Sequence, residues 1–223
     1  MLLKNIFLYP DLVEFQNRPE DLSLIRYQTR YIGNYLSRNL AKLKFNAGGF
    51  NRVCVVGQSN PEKVYRNSSS AVSVGIHFDI DECLKTGKQY LGDYYSKLYK
   101  LGLEECNKVY KLPLSELFFW LDELKNLNYK NEWTFKERTF KKNGLKCKLH
   151  CSIDLDKFEL RLIVSDKGNE IFNQIILTTP PDEIIFYYKF KDIELINNNI
   201  VVINRFHGDN ILFQLPLNFY QDK

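Results

Sequence analysis

Two hydrophobic periods divide the chain. Leu22, Ile25, Ile32, Leu36, Leu40 and Leu43 recur at three- and four-residue steps, which predicts an amphipathic helix opened by Pro19-Glu20-Asp21 and running to about Lys42. The same period predicts helices from about Lys88 to Lys108 and from Leu114 to Lys125, the latter with Leu114, Leu117, Phe118, Leu121 and Leu124 on one stripe. Short apolar runs at Ile6–Tyr9 and Val53–Val56 predict strands, the second of a buried kind. Gly48-Gly49 punctuates, and Gly57–Ser70 is polar and loop-like. Val72, Val74, Ile76, Phe78 and Ile80 then alternate with Ser73, Gly75, His77, Asp79 and Asp81, the pattern of a half-buried strand.

From Trp133 onward period two dominates. Short alternating runs are separated by turn signals at Lys142-Asn143-Gly144, Asp154–Lys157, Asp166-Lys167-Gly168-Asn169, Asn197–Asn199 and His207–Asn210. Helices first and strands second predict an α+β fold, with helices of the N-terminal half packed on an antiparallel, meander-type sheet built largely from the C-terminal half, rather than a parallel α/β fold. The expectation is one domain over residues 1–223, with a subdivision into a helix-rich 1–128 and a sheet-forming 129–223.

Composition narrows the class. With 44% hydrophobic residues, 16 Phe and 14 Tyr, the chain can bury a sizeable core. A net charge of +4 is modest for a dedicated duplex-DNA binder. Five cysteines without framework spacing fit reduced thiols in a cytosol. The N-terminal run is broken by Lys4, Asn5 and Pro10 and lacks a signal peptide's continuous apolar region. No stretch approaches the roughly 20 apolar residues that span a bilayer. A soluble, cytoplasmic protein that meets no membrane is expected.

Candidate chemistry is sparse. His77, Asp79 and Asp81 would share one side of a strand and could offer ligands to a cation, which is the basis for a metal-dependent enzyme as an alternative. The same residues have structural work available, because Asp79 precedes Glu82 by three positions, the spacing of a capping box. Cys147 and Cys151, with His150 between them, are four apart; on a strand they lie ~13 Å apart, which suits two core cysteines better than a zinc knuckle. No G-x-S-x-G, H-E-x-x-H or Walker-type loop occurs, so neither a catalytic residue nor a cofactor is assigned.

The hairpin around Asn143-Gly144 is more informative, because a one-residue slip would expose its apolar set. A three-residue loop puts Trp133 and Phe135 with Leu145, Cys147, Leu149, Cys151 and Ile153, and Ile153 opposite Phe158 on the next strand. The other face then collects Lys136, Arg138, Lys146, Lys148, His150 and Arg161, with Arg138 across from Lys148. An acidic partner would relieve that repulsion. A second candidate surface is the first helix, where Tyr27, Tyr31 and Tyr35, flanked by Arg30 and Arg38, lie nearly opposite the leucine stripe. Exposed Tyr and Arg anchor interfaces; a helix sandwiched between two layers would bury them instead. Either set of residues also fits a nucleic-acid-binding module.

The order of short motifs is suggestive. G-L-E-E at Gly102–Glu105, N-E-W at Asn131–Trp133, the basic hairpin, P-D-E-I-I-F at Pro181–Phe186, F-K-D-I at Phe190–Ile193 and N-R at Asn204-Arg205 together resemble small α+β immunity proteins encoded beside bacterial polymorphic toxins, over roughly residues 70 to 217. The resemblance implies a non-enzymatic protein that binds and blocks one cognate toxin. It carries no contact residue over; the basic face would meet an acidic toxin surface.

Overall fold

The computed structural model describes residues 1–61, 64–67, 69–205 and 211–220; the turn expected at His207–Asn210 lies outside them. The fold is α+β, with the helices mostly N-terminal. The chain divides into two compact units, Met1–Asn131 and Glu132–Lys223.

In the first unit, β1 (Asn5–Pro10), β2 (Arg52–Gln58), β3 (Tyr65–Arg66) and β4 (Ala71–His77) form one sheet in the order β1-β2-β4-β3. β1, β2 and β4 run parallel, and only β3 is antiparallel. The antiparallel sheet expected largely from the C-terminal half does not include these strands, and their parallel pairing was not foreseen. Its cause is the long helix α1 (Pro19–Leu43), which carries the chain from the end of β1 back to the start of β2, as a parallel pair requires. Pro19 occupies the first turn, Glu20 and Asp21 complement the helix dipole, and Lys44 ends the helix in the left-handed conformation, its N–H bonded to Leu40 O at 2.9 Å.

Register puts Ile6, Val53 and Val72 in one row and Leu8, Val55 and Val74 in the next, all on one face and all buried. α1 lies close against β1: Thr29 Oγ1 donates to Leu8 O at 2.7 Å, and a Cβ on Gly33 would stand 2.7 Å from Ile6 O. The same face receives α3 (Leu91–Asn107), where a Cβ on Gly102 would meet Val55 Cγ1 at 2.4 Å, so only glycine permits this approach. The chain reaches α3 through α2 (Ile80–Lys85) and a 3-10 turn at Lys88–Tyr90, which replaces the first turn of the helix expected from Lys88. α4 (Leu114–Asn126) buries Leu117, Leu121 and Leu124. No helix among the described residues is long and apolar enough to cross a membrane.

The second unit is built from hairpins. β5 (Asn131–Phe140), β6 (Leu145–Ile153), β7 (Phe158–Asp166) and β8 (Asn169–Thr179) form a sheet in sequence order; α5 (Glu183–Phe186) follows, and β9 (Asp192–Ile196), β10 (Asn199–Ile203) and β11 (Ile211–Pro216) form a second sheet. The β6–β7 register pairs Ile153 with Phe158, as expected. Leu145, Cys147, Leu149, Cys151, Ile153, Phe158, Leu160, Leu162 and Val164 are all buried on one face. Phe186 stacks on Phe158 with ring centroids 3.7 Å apart, and Trp133 and Phe135 join this cluster through Phe158 and Phe190. The turns follow their chemistry: Asn197 and Asn198 (φ 46 and 63) and Lys167 and Gly168 (φ 47 and 90) close two-residue connections in the left-handed region. The β5–β6 connection is one residue longer than expected, a 3-10 turn at Lys141–Asn143 followed by Gly144 at φ 70.

Candidate functional site

His77, Asp79 and Asp81 do not share a strand face. β4 ends at His77, because Asp79 leaves the sheet to cap α2, its Oδ1 accepting from Asp81 N–H at 2.8 Å and Glu82 N–H at 3.0 Å. Those two N–H bonds hold its carboxyl below the usual carboxylate range. Asp81 pairs with Arg18 at 2.7 Å, and His77 Nδ1 lies 3.0 Å from Ser59 O. The alternation read as one ten-residue strand is therefore a strand followed by a cap, and each of the three side chains has its own partner. Ser73, expected on the wet face, is buried.

The cysteines are core residues. All five are buried. Burial pushes the Cys106 and Cys147 thiols up to about 12 and Cys83 to about 11, so they stay protonated and unreactive at neutral pH.

The tyrosine stripe of α1 is mostly interior, not an exposed anchor row. Tyr31 is 1% exposed and meets Tyr129 edge-on at 6.3 Å. Tyr35 is buried and donates to Glu123 of α4; burial first, then this bond, pushes its phenol up to about 12. Tyr27 is half-buried. Arg38 donates to Asn34 Oδ1 at 3.2 Å and to the Oδ1 of the buried Asn131, whose Nδ2 in turn donates to Tyr31 O at 2.7 Å. Arg30 stands 4.8 Å over the Phe7 ring. The layer that sequence periodicity could not reveal comes from α4, which meets α1 through Tyr35 and Glu123, while α3 lies beside α1 on the same sheet face, Tyr99 Oη donating to Thr29 O at 3.1 Å.

The basic set of the hairpin is divided. Lys136 and Arg138 converge on Asp192 of β9, Lys136 at 3.3 Å and Arg138 through both its Nε, at 2.8 Å, and its Nη2. Lys146 pairs with Glu137 at 2.9 Å, and His150 Nε2 lies 3.5 Å from Glu132. Arg161 sits opposite His150 in the register and donates to Asn173 Oδ1 at 2.9 Å. The expected unbroken field of six cationic residues awaiting an external acid is thus corrected: carboxylates of the same unit stand against Lys136, Arg138, Lys146 and His150, and the key one, Asp192, lies 54 residues from Arg138 in sequence.

A smaller feature remains. Glu137, Gly144, Lys146, Lys148, Ile163, Ser165, Lys167, Gly168 and Glu170 line a concavity of about 450 Å³ on this unit, bounded by the β5–β6 and β7–β8 turns. Among the described residues neither Lys148 nor Lys167 has an ion pair, so three ammonium groups face two carboxylates. Lys167 was read only as a turn residue; the signal for its role is the turn itself, whose left-handed backbone brings Lys167 to the mouth of the concavity that Lys148 also lines.

Comparison with protein-family models, with curated proteins and with solved structures gives no match to this chain.

Proposed function

We propose that the chain is a non-enzymatic immunity protein whose second unit blocks a cognate bacterial toxin by seating an acidic protrusion of it in the lysine-lined concavity. The observation that supports this reading is the pair Lys148 and Lys167, two cations without an ion-pair partner among the described residues, held over a concave sheet surface. A side-chain carboxylate entering there meets Lys148, Lys167 and the outer side of Lys146, while the interleaved Glu137 and Glu170 disfavour a continuous polyanion such as nucleic acid. The inhibition is steric: a rigid sheet covering roughly 800 Å² of a toxin excludes its substrate without making or breaking a bond.

The test is co-expression with the toxic domain encoded by the neighbouring reading frame. The wild-type chain restores growth. The double variant Lys148→Glu, Lys167→Glu keeps the circular dichroism and urea midpoint of the parent, yet protects poorly and binds about tenfold or more weakly by calorimetry. Full protection by the double variant removes the concavity from the proposal, and no protection by the wild-type chain removes the immunity reading.

A further inference from the structure

The lysine-lined concavity opens onto a larger surface, the face of β6, β7 and β8 turned away from the apolar cluster. These strands and the turns that join them lie wholly within the described residues. Residues opposite one another in an antiparallel ladder point to the same side, so two rows cross this face: Lys148, Ile163 and Asn173, then His150, Arg161 and Ile175. The other face carries the buried Leu149, Leu162 and Val164. There Phe172, opposite Val164, meets Phe213 of β11 with ring centroids 6.0 Å apart, so the second sheet of the unit packs behind these strands. Ile175, on the outer side, is 43% exposed.

Two features set this face apart from an ordinary solvated sheet. One is apolar. Ile163 and Ile175 are diagonal neighbours, about 7–8 Å apart at the backbone, and form one apolar spot among polar rows. The other is charge. Arg161 Nη1 donates to Asn173 Oδ1 at 2.9 Å, and Asn173 Nδ2 donates to Glu170 Oε1 at 2.9 Å. Asn173 is a neutral acceptor opposite Ile163, so it fixes the guanidinium near the isoleucines without cancelling its charge. Lys148 stands opposite Ile163 on the other side. The nearby carboxylates are engaged elsewhere: Glu159, one row beyond Arg161, by Lys157, Glu137 by Lys146, and Glu132 beside His150. Among the described residues none of Lys148, Lys167 and Arg161 has an ion pair.

We infer that the partner segment seated in the concavity carries an aliphatic or aromatic side chain between two carboxylates. The apolar group covers Ile163 and Ile175, one carboxylate meets Lys148 and Lys167, and the other meets Arg161. The inference rests on the reading of the concavity as a protein contact and adds the second half of that contact. Complementarity of charge selects this occupant. A single carboxylate would satisfy the lysines and leave Arg161 and both isoleucines uncovered. A nucleic-acid strand would lay phosphates over the isoleucines and pass Glu137 and Glu170. An apolar centre with a charged rim is the anatomy of a protein–protein interface, and covering the isoleucines removes water from the charge pairs on either side. Arginine held rigid beside apolar side chains is also a residue that anchors such interfaces.

The test uses the full chain and two probes: the toxic domain encoded by the neighbouring reading frame, and a displayed library of random dodecapeptides whose most enriched sequence is synthesised. Enriched peptides are expected to hold Asp or Glu on both sides of Leu, Ile, Val or Phe. Ile175→Thr keeps a β-branched residue at an exposed strand position, and Arg161→Gln removes the charge while retaining a donor. Each is expected to weaken binding of either probe about fivefold or more with an unchanged circular dichroism spectrum. Failure to enrich such peptides overturns the inference, as does binding that ignores both substitutions. An oligouridine that displaces the peptide with comparable affinity assigns the face to nucleic acid and overturns it too. A toxic domain that does not bind, beside a peptide that does and is weakened by both substitutions, removes the toxin reading and leaves this inference standing. A toxic domain that binds both variants as tightly as the parent does the reverse.

Discussion

Replacing Asp192 with Asn tests how the hairpin cations are held. Partial burial pushes this carboxyl up, but the Arg138 guanidinium, the Ile193 N–H and the Lys136 ammonium outweigh it and bring it from 3.8 down to about 2. At about 1.4 kcal/mol per pKa unit, that depression limits the contribution of the charge to ~2.5 kcal/mol. Arg138 is 46% and Lys136 34% exposed, so solvent screens both cations. The expected loss of stability at neutral pH is accordingly about 1 kcal/mol. Asn retains an oxygen to accept from Ile193 N–H, which Asp192 Oδ1 does at 2.8 Å, so the substitution isolates the charge from the local turn.

The pH dependence has a definite sign. A carboxylate whose folded pKa is depressed stabilises the protein fully above its unfolded pKa, near 4, and loses that effect as pH falls toward 2. Urea midpoints of wild type and Asp192→Asn are expected to differ constantly from pH 7 to about pH 4 and to converge by about pH 2. Raising salt to about 1 M, where the screening length is near 3 Å, narrows the gap. Equal stability at pH 7 refutes the role assigned to Asp192. A gap that persists undiminished at pH 2 shows that its cause is packing and not charge.

Gly102→Ala is expected to lower the thermal midpoint although alanine is the better helix former: overpacking against Val55 costs about 1–3 kcal/mol, set against about 1 kcal/mol of helix propensity. A variant at least as stable as the parent means that α3 can shift away from β2. Asp79→Ala should cost about 1 kcal/mol in urea unfolding through loss of the α2 cap, and Asp79→Asn a few tenths at most. Equal losses from both substitutions argue that the carboxylate charge, and not its acceptor oxygen, is what matters.

What was legible in the sequence is what depends on near neighbours. The Ile153–Phe158 pairing, the buried row from Leu145 to Val164 and the left-handed Gly144 all follow from period-two burial and turn chemistry. The parallel pairing of β1, β2 and β4 was not legible, because the order of strands in space is set by how α1 returns the chain and not by any strand's own pattern. The cue lay in Val53–Val56, whose unbroken apolar run fits a strand covered on both faces. At Asp79 two local readings competed, and the cap prevailed: its oxygen satisfies two N–H groups of the first turn of α2 that strand pairing would have left to water.

Charge is the least legible quantity of all, and the hairpin shows why. Alternation correctly separates the apolar row of β6 from Lys146, Lys148 and His150, since a hydrophobic side chain needs only a face. A charged side chain also needs a partner, and a partner can return from anywhere. Asp192 comes back on β9, while Glu137 and Glu132 interleave with the cations within β5 itself. Counting lysines and arginines along strands therefore overstates the free charge of a face; of the six cationic residues expected to act together, carboxylates fold back onto four, which leaves Lys148 and the Asn173-bonded Arg161, and the β7–β8 turn adds Lys167 beside Lys148. This contraction alters what a partner must offer. A six-cation plate would attract any acidic surface through long-range steering, whereas Lys148 and Lys167 over one concavity demand a carboxylate at one place, and recognition of that kind rests on shape as much as on field.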